Sequence, residues 1–228
     1  MLLYGKSDYN GFPYRHPFVV VHDVVYDGDS ARLAEGQLVT TDALRDVIRT
    51  LGQSVPVEIL PERVLIRTAD TLVWWMPASI RVMFFSDRGG DTTLTALNGK
   101  PYPHPPLVFK ASGAHLSVRA LTKNQRPDGK TTMHMAPYWN CDQRGVVCTG
   151  SMRIPREKSV SAIEGWETAF FQSEFTHGNG TRTRHPKGVV ALWKSLQGKQ
   201  TFPSMYLLPV QQTLTDFVTP NDRKTDIE

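Results

Sequence analysis

The chain has 228 residues, 40% hydrophobic and 21% charged. That is enough to bury a core without help from a metal or a disulfide, and it excludes a disordered tail protein. The net charge of +4 is scattered; its densest stretch, Arg182, Arg184, His185 and Lys187, reads as a solvated surface or a face for an acidic protein partner, which argues against nucleic acid.

No apolar run approaches the roughly 18 residues of a membrane helix. Met1-Leu2-Leu3-Tyr4-Gly5-Lys6-Ser7-Asp8 turns polar too early for a signal peptide. No membrane association and a cytoplasmic setting are therefore expected. The two cysteines, Cys141 and Cys148, are too few for a disulfide scaffold or a cysteine-only zinc site. His22, His104, His115 and His185 show no metal-ligand spacing. No metal and no cofactor are expected.

In chain order, the first third reads as strand, strand, helix: Phe18 to Tyr26 is β-branched and aromatic and breaks at a turn, Asp27-Gly28-Asp29. Leu44, Val47, Ile48 and Leu51 share one face of a helix over about 42–51, with Thr41 as cap and Gly52 as stop. Val64–Arg67 and Leu72–Met76 form a hairpin, and Ile80–Phe85 adds a strand. Residues 86–106 read as a loop, stiffened at its end by Pro103, Pro105 and Pro106. Leu107–Lys110 and His115–Leu121 form a second hairpin, and Thr132–Ala136 a short strand. In the helical last third, Ser161-Ala162-Ile163-Glu164 has the form of a capping box. Ile163, Trp166, Phe170 and Phe175 make an apolar stripe, and a shorter amphipathic segment, 189–196, stops at Gly198. In Trp74-Trp75, one side chain is expected in the core and the other at the surface, since strand neighbours point to opposite sides. Strands followed by helices predict an α+β fold, an antiparallel sheet packed against helices. No linker divides the chain, so one domain, 1–228, is expected, with 1–55 as an N-terminal strand and helix elaboration and 56–228 as the core.

The segment Ala136 to Gly150 differs from the rest. It is rich in turns, bends at Gly145, and reaches Cys148 through Val146-Val147. The extended valines would present the Cys148 thiol at the end of a rigid element. Asn140, eight residues upstream, could fold back beside it, where a carboxamide donates to an oxyanion or pins the loop backbone. A lone cysteine is more often a buried core side chain than a nucleophile.

These intervals resemble the active-site region of ubiquitin-conjugating enzymes. There a His-Pro-Asn motif is followed, eight residues after the Asn, by the thioester-forming Cys, with a Gly three before it. Asn140, Gly145 and Cys148 keep that spacing, while Tyr138-Trp139 stand in place of His-Pro and Thr149 in place of the usual Leu. Tyr102-Pro103-His104-Pro105-Pro106 is similar to the superfamily's Tyr-Pro-x-x-Pro-Pro but one residue shorter. Leu60–Leu65, Leu72–Pro77, Pro105–Gly113, Ala136–Asn140, Gly145–Cys148 and Phe175–His177 together resemble the protein B family of the bacterial PRTRC system, a prokaryotic branch (family D) of that superfamily.

The resemblance implies a ubiquitin-conjugating (UBC)-like fold. It also implies a cassette, carried on plasmids and integrated elements, with a ThiF-type activating enzyme, a ubiquitin-like protein, a JAB-type peptidase and a ParB-related protein. Cys148 would take the ubiquitin-like protein as a thioester and pass it to an amine, and Asn140 would stabilise the oxyanion. His177, in a Gly-rich loop after the main helix, would serve as base or gate, or as a histidine satisfying free helix carbonyls. His134, alternating with two methionines, reads as structural. Cys141 could form a regulatory disulfide with Cys148, or be a buried or bystander side chain. Two further readings stand beside the carrier: an inactive relative that only binds the ubiquitin-like protein or the activating enzyme, and a cysteine peptidase using Cys148 with His134 or His177.

Overall fold

The computed structural model describes residues 2–4, 18–28, 30–42, 45–46, 59–68, 70–86, 92–155, 159–176 and 180–219. The chain divides into two compact units, Met1–Glu58 and Ile59–Glu228. In the first, β1 (Leu2–Tyr4), β2 (Phe18–Val21) and β5 (Gln37–Leu38) form one small sheet, and β3 (Val24–Asp27) pairs with β4 (Ser30–Leu33) in a hairpin. The stretch 18–26 thus holds two strands, broken at His22-Asp23. Gly28, with φ +60°, turns the hairpin. Of the expected helix 42–51, residues 42, 45 and 46 are helical and the others lie outside the described residues.

The second unit is built on a six-stranded antiparallel sheet. Its strands are β6 (Val64–Arg67), β7 (Thr71–Met76), β10 (Leu107–Ser112), β11 (His115–Ala120), β12 (Thr132–Met135) and β14 (Pro209–Thr213), in the order β14-β12-β11-β10-β7-β6. Both expected hairpins are present. The β10–β11 turn is the two-residue loop Gly113-Ala114, in which Gly113 takes φ +56°. A second sheet joins β8 (Ser79–Phe85) to β9 (Lys100–His104) antiparallel and to β13 (Glu174–Phe175) parallel. Residues 86–106 are therefore not one loop: they hold the short helix α1 (Thr92–Thr95) and all of β9. Pro101 and Pro103 pair with Val82 and Ile80. They are tolerated because β9 is an edge strand, where a missing N–H breaks no ladder.

Both faces of the large sheet are covered. Leu72, Trp74, Met76, Leu107, Phe109 and Val118 face the main core, which also takes Ile163, Trp166 and Phe170 of α2 (Ile163–Phe171) and Leu192 and Trp193 of α3 (Gly188–Ser195). Phe175 joins this core from β13, which explains why the apolar stripe of α2 loses its period there. On the other face Val73, Val108, Leu121 and Met133 meet Leu214 and Phe217 of α4 (Leu214–Val218). Trp74 is fully buried in the first cluster and Trp75 points to the opposite face, as strand alternation requires, but it is half-buried against the second cluster and not at the surface, because α4 covers that face.

The capping box is not at Ser161. That residue lies inside a short 3-10 turn leading into α2, which has no side-chain cap. The box is at α4, where Thr213 accepts from the Asp216 N–H and the Asp216 carboxylate accepts from the Thr213 N–H. The result is a mixed α+β architecture with mostly antiparallel sheets. Among the described residues, no helix is long and apolar enough to cross a membrane.

Candidate active site around Cys148

The chain leaves β12 through Ala136, Tyr138 and Trp139, all buried. Tyr138 stacks on His104 and meets Phe170 and Phe171 edge-on. Trp139 lies edge-on to Phe85, with centroids 5.0 Å apart. The Trp193 indole N–H donates to the Pro137 carbonyl at 2.8 Å. Aromatic packing therefore holds the approach to the cysteine segment rigidly.

His104 belongs to this cluster. Burial lowers its pKa to about 3, so the ring is neutral. Its Nε2 is 3.3 Å from the Arg81 carbonyl oxygen, which can only accept, so Nε2 carries the proton. Nδ1 is then the acceptor, and the Tyr138 hydroxyl donates to it at 2.8 Å. Sequence reasoning saw His104 only as a histidine without ligand spacing; its place between two prolines of the Tyr102–Pro106 element was the available signal.

Residues 140–148 form a tight hairpin. The Gly145 N–H donates to the Asp142 carbonyl at 2.9 Å, the Asp142 N–H donates to the Val146 carbonyl at 2.9 Å, and the Val146 N–H donates to Asp142 Oδ1 at 2.8 Å. This is the bonding of a short hairpin loop that closes on a left-handed glycine; Gly145 has φ +87°. A Cβ there would lie 2.8 Å from the Val118 carbonyl oxygen, so only glycine fits. Beyond the turn the chain runs beside β11, with the Val118 N–H donating to Gly145 O at 2.8 Å and the Val147 N–H to Leu116 O at 2.9 Å. The hairpin thus adds a strand to the half of β11 that β12 leaves free.

Cys148 follows directly. Its N–H donates to the Asn140 carbonyl at 2.7 Å, and its side chain is exposed. Cys141 is opposite Val147, is 1% exposed, and has its thiol pKa pushed well up by burial. The two cysteines occupy successive rungs of one hairpin, where side chains point to opposite faces, so a disulfide between them would need the hairpin to come apart.

The structure brings Asn140 and Cys148 together through their backbones. The Asn140 carboxamide is buried: Nδ2 donates to Ser173 Oγ at 3.4 Å, and Ser173 donates to the Phe170 carbonyl at 2.7 Å. In this arrangement the carboxamide ties the hairpin to the C-terminal end of α2. Thr181 Oγ1 supports the same segment, 2.5 Å from the Tyr138 carbonyl oxygen and 3.1 Å from that of Cys141. Neither Ser173 nor Thr181 carried a spacing signal in the sequence. His177 lies outside the described residues. His134 is on β12, paired with Ala120 and Pro209, and burial lowers its pKa. Among the described residues no group of three or more His, Cys, Asp or Glu side chains could hold a metal ion.

Three residues past Cys148 in sequence, a groove of about 620 Å³ is lined by Ser151 and Arg153 and by Glu164, Gly165, Thr168 and Gln172 of α2 and its end. The arrangement offers an exposed thiol on an anchored strand; Cys148 is not among the residues that line the groove.

A model of prokaryotic E2 family D matches residues 42–210. No curated protein and no solved structure gives a significant match.

Proposed function

The chain belongs to prokaryotic E2 family D, and from that membership we propose a ubiquitin-conjugating-like carrier that works through a thioester on Cys148. The Cys148 thiolate attacks the acyl carbon of a ubiquitin-like protein held as a thioester on a ThiF-type activating enzyme. A new C–S bond forms, and the activating enzyme's thiolate leaves. An amine then attacks the carrier thioester, an amide bond forms, the Cys148 thiolate departs and the amine's proton goes to solvent or a neighbouring base. Exchange between two thioesters is nearly balanced in energy, so exposure and alignment matter more than strong activation of the thiol.

The observation that carries this reading is the contrast between the two cysteines: Cys148 is exposed at the end of an anchored strand while Cys141 is sealed in the core. A UBC-like fold accords with the antiparallel strands before the cysteine and the helix α2 after it. Asn140 serves this reading first as the pin that holds the hairpin; to act on an oxyanion its carboxamide would have to release Ser173. His177 remains the proposed base or gate. The expected setting is the cytoplasm, with the ubiquitin-like protein, activating enzyme and JAB-type peptidase of a PRTRC cassette as partners.

The test is a non-reducing gel after incubation with the cassette's activating enzyme, its ubiquitin-like protein and ATP. A thiol-sensitive adduct is expected with the wild type and none with Cys148→Ala. The second reading, a module that only binds the ubiquitin-like protein or activating enzyme, is favoured by the engagement of the Asn140 carboxamide with Ser173. It predicts a stable complex with one of them and no adduct.

A further inference from the structure

Arg119 is a buried cation, 4% exposed, that the carrier mechanism does not use. It sits on β11 beneath the turn of the Cys148 hairpin. Its Nη1 donates to the Gln143 carbonyl at 3.0 Å, inside that turn. A Cβ on Gly145 would come within 3.1 Å of its Cζ, so the glycine closes directly over the guanidinium. On its other side, Nε donates to Gln212 Oε1 at 3.1 Å, and Cζ lies 6.0 Å from the centre of the Phe217 ring. Among the described residues no carboxylate forms an ion pair with it, and the Asp142 carboxylate is occupied by Arg144 and the Val146 N–H. The Asp142 carboxylate acts on Arg119 only through space, and what Arg119 offers the turn is directional: two hydrogen bonds from one rigid planar group.

Gln212 belongs to β14 and Phe217 to α4. Both lie past residue 210, where the family match ends. This segment is itself well fastened, since the Leu214 N–H donates to Thr131 O at 2.9 Å, the Thr215 N–H donates to Gly129 O at 3.0 Å, and the capping box closes α4. We propose that residues 211–218 act as a clamp on the Cys148 hairpin, with Arg119 and Gln212 as positioning residues that transmit their hold to the turn at Gln143. The clamp belongs to this chain's C-terminal segment rather than to the matched family region; its bearing on transfer rests on the carrier reading above.

The test is amide hydrogen exchange on the full chain, comparing wild type with Arg119→Lys and Gln212→Ala. Lysine keeps the charge but cannot reach both acceptors in one plane. Amides of 142–148 are expected to exchange about tenfold faster in Arg119→Lys, the scale of one lost charge-assisted hydrogen bond, and severalfold faster in Gln212→Ala, while the α2 amides are unchanged. In the thioester assay the same variants should lower kcat for charging with little change in KM for the activating enzyme. If the 142–148 amides keep their wild-type rates in both variants, or if α2 accelerates equally, the clamp is overturned. Gln212→Ala is a mild change on a strand at the sheet edge, so it decides the question even if Arg119→Lys does not fold. A wild type that forms no adduct would remove the carrier reading, and the exchange comparison would still judge the clamp.

Discussion

Cys141 and Cys148 sit in opposite settings, the first sealed in the core and the second exposed. Burial disfavours the Cys141 thiolate, and no reagent reaches its sulfur until the hairpin opens. Iodoacetamide should therefore add once to the native protein, at Cys148, and a second time only in denaturant; peptide mass spectrometry reads both events. Native labelling of both sulfurs would show that the hairpin opens freely. Gly145 has a sharper requirement. Gly145→Ala forces a side chain into a positive φ and against the Val118 carbonyl, which should cost about 2 kcal/mol or more. A urea midpoint within error of the wild type would disprove that strain. The spacing of Asn140, Gly145 and Cys148 was readable as a turn that returns the chain to the cysteine, and the hairpin does so. The direction of the Asn140 carboxamide was not readable, because it depends on Ser173, 33 residues away.

At the scale of elements, one carboxylate fastens α2 to both sheets. Glu167 is 3% exposed and accepts from the Trp74 indole of β7 at 3.1 Å, from Arg63 before β6 at 2.9 Å and from Arg81 of β8 at 3.0 Å. A buried carboxylate is favourable only because three donors replace its water. Glu167→Leu strands both guanidinium groups and the indole, at a cost of about 3 kcal/mol, the low end for such pairs because both arginines reach solvent. Glu167→Gln keeps an acceptor for Trp74 and should cost about half as much. A Glu167→Gln urea midpoint equal to that of the wild type would show that charge is not the tie. None of this was legible beforehand: a glutamate in the sequence of α2 looks like an ordinary solvated residue, and burial is decided by Arg63 and Arg81. The hairpins were legible from their turn residues, whereas β9 was hidden because its prolines read as a stop. The true capping box, Thr213 to Asp216, had the right pattern but no long apolar run behind it, since α4 has only five residues.

For the molecule as a whole, composition and the order of strands before helices were sufficient for an α+β reading. Polar groups buried between elements were not foreseeable, and one of them contributes to the loss of stability in acid. His104 has a folded pKa near 3, below the 6.5 of an unfolded histidine. Between those values the unfolded chain binds a proton that the folded chain refuses, so stability falls as pH drops below 6.5 and rises again toward neutrality. The slope from this single ring is about 1.4 kcal/mol per pH unit within that window. His104→Gln, which can still accept from Tyr138 and donate to a carbonyl, should be less stable at pH 7 but lose less on acidification. Parallel wild-type and variant curves from pH 7 to pH 4 would remove His104 as the cause.

Pro101 and Pro103 alternate along β9, so both missing N–H groups fall on one side of the strand. Because β9 stays bonded to β8 through the intervening residues, that side is the outer rim of the smaller sheet. Pro101 is exposed and denies that rim a donor, while Pro103 is buried, so an unfolded strand from another molecule finds only a short, interrupted edge to copy. One exposed proline and the burial of Tyr102, Pro103 and His104 thus guard against polymerisation by edge-to-edge growth, a hazard for any β-rich chain at high local concentration.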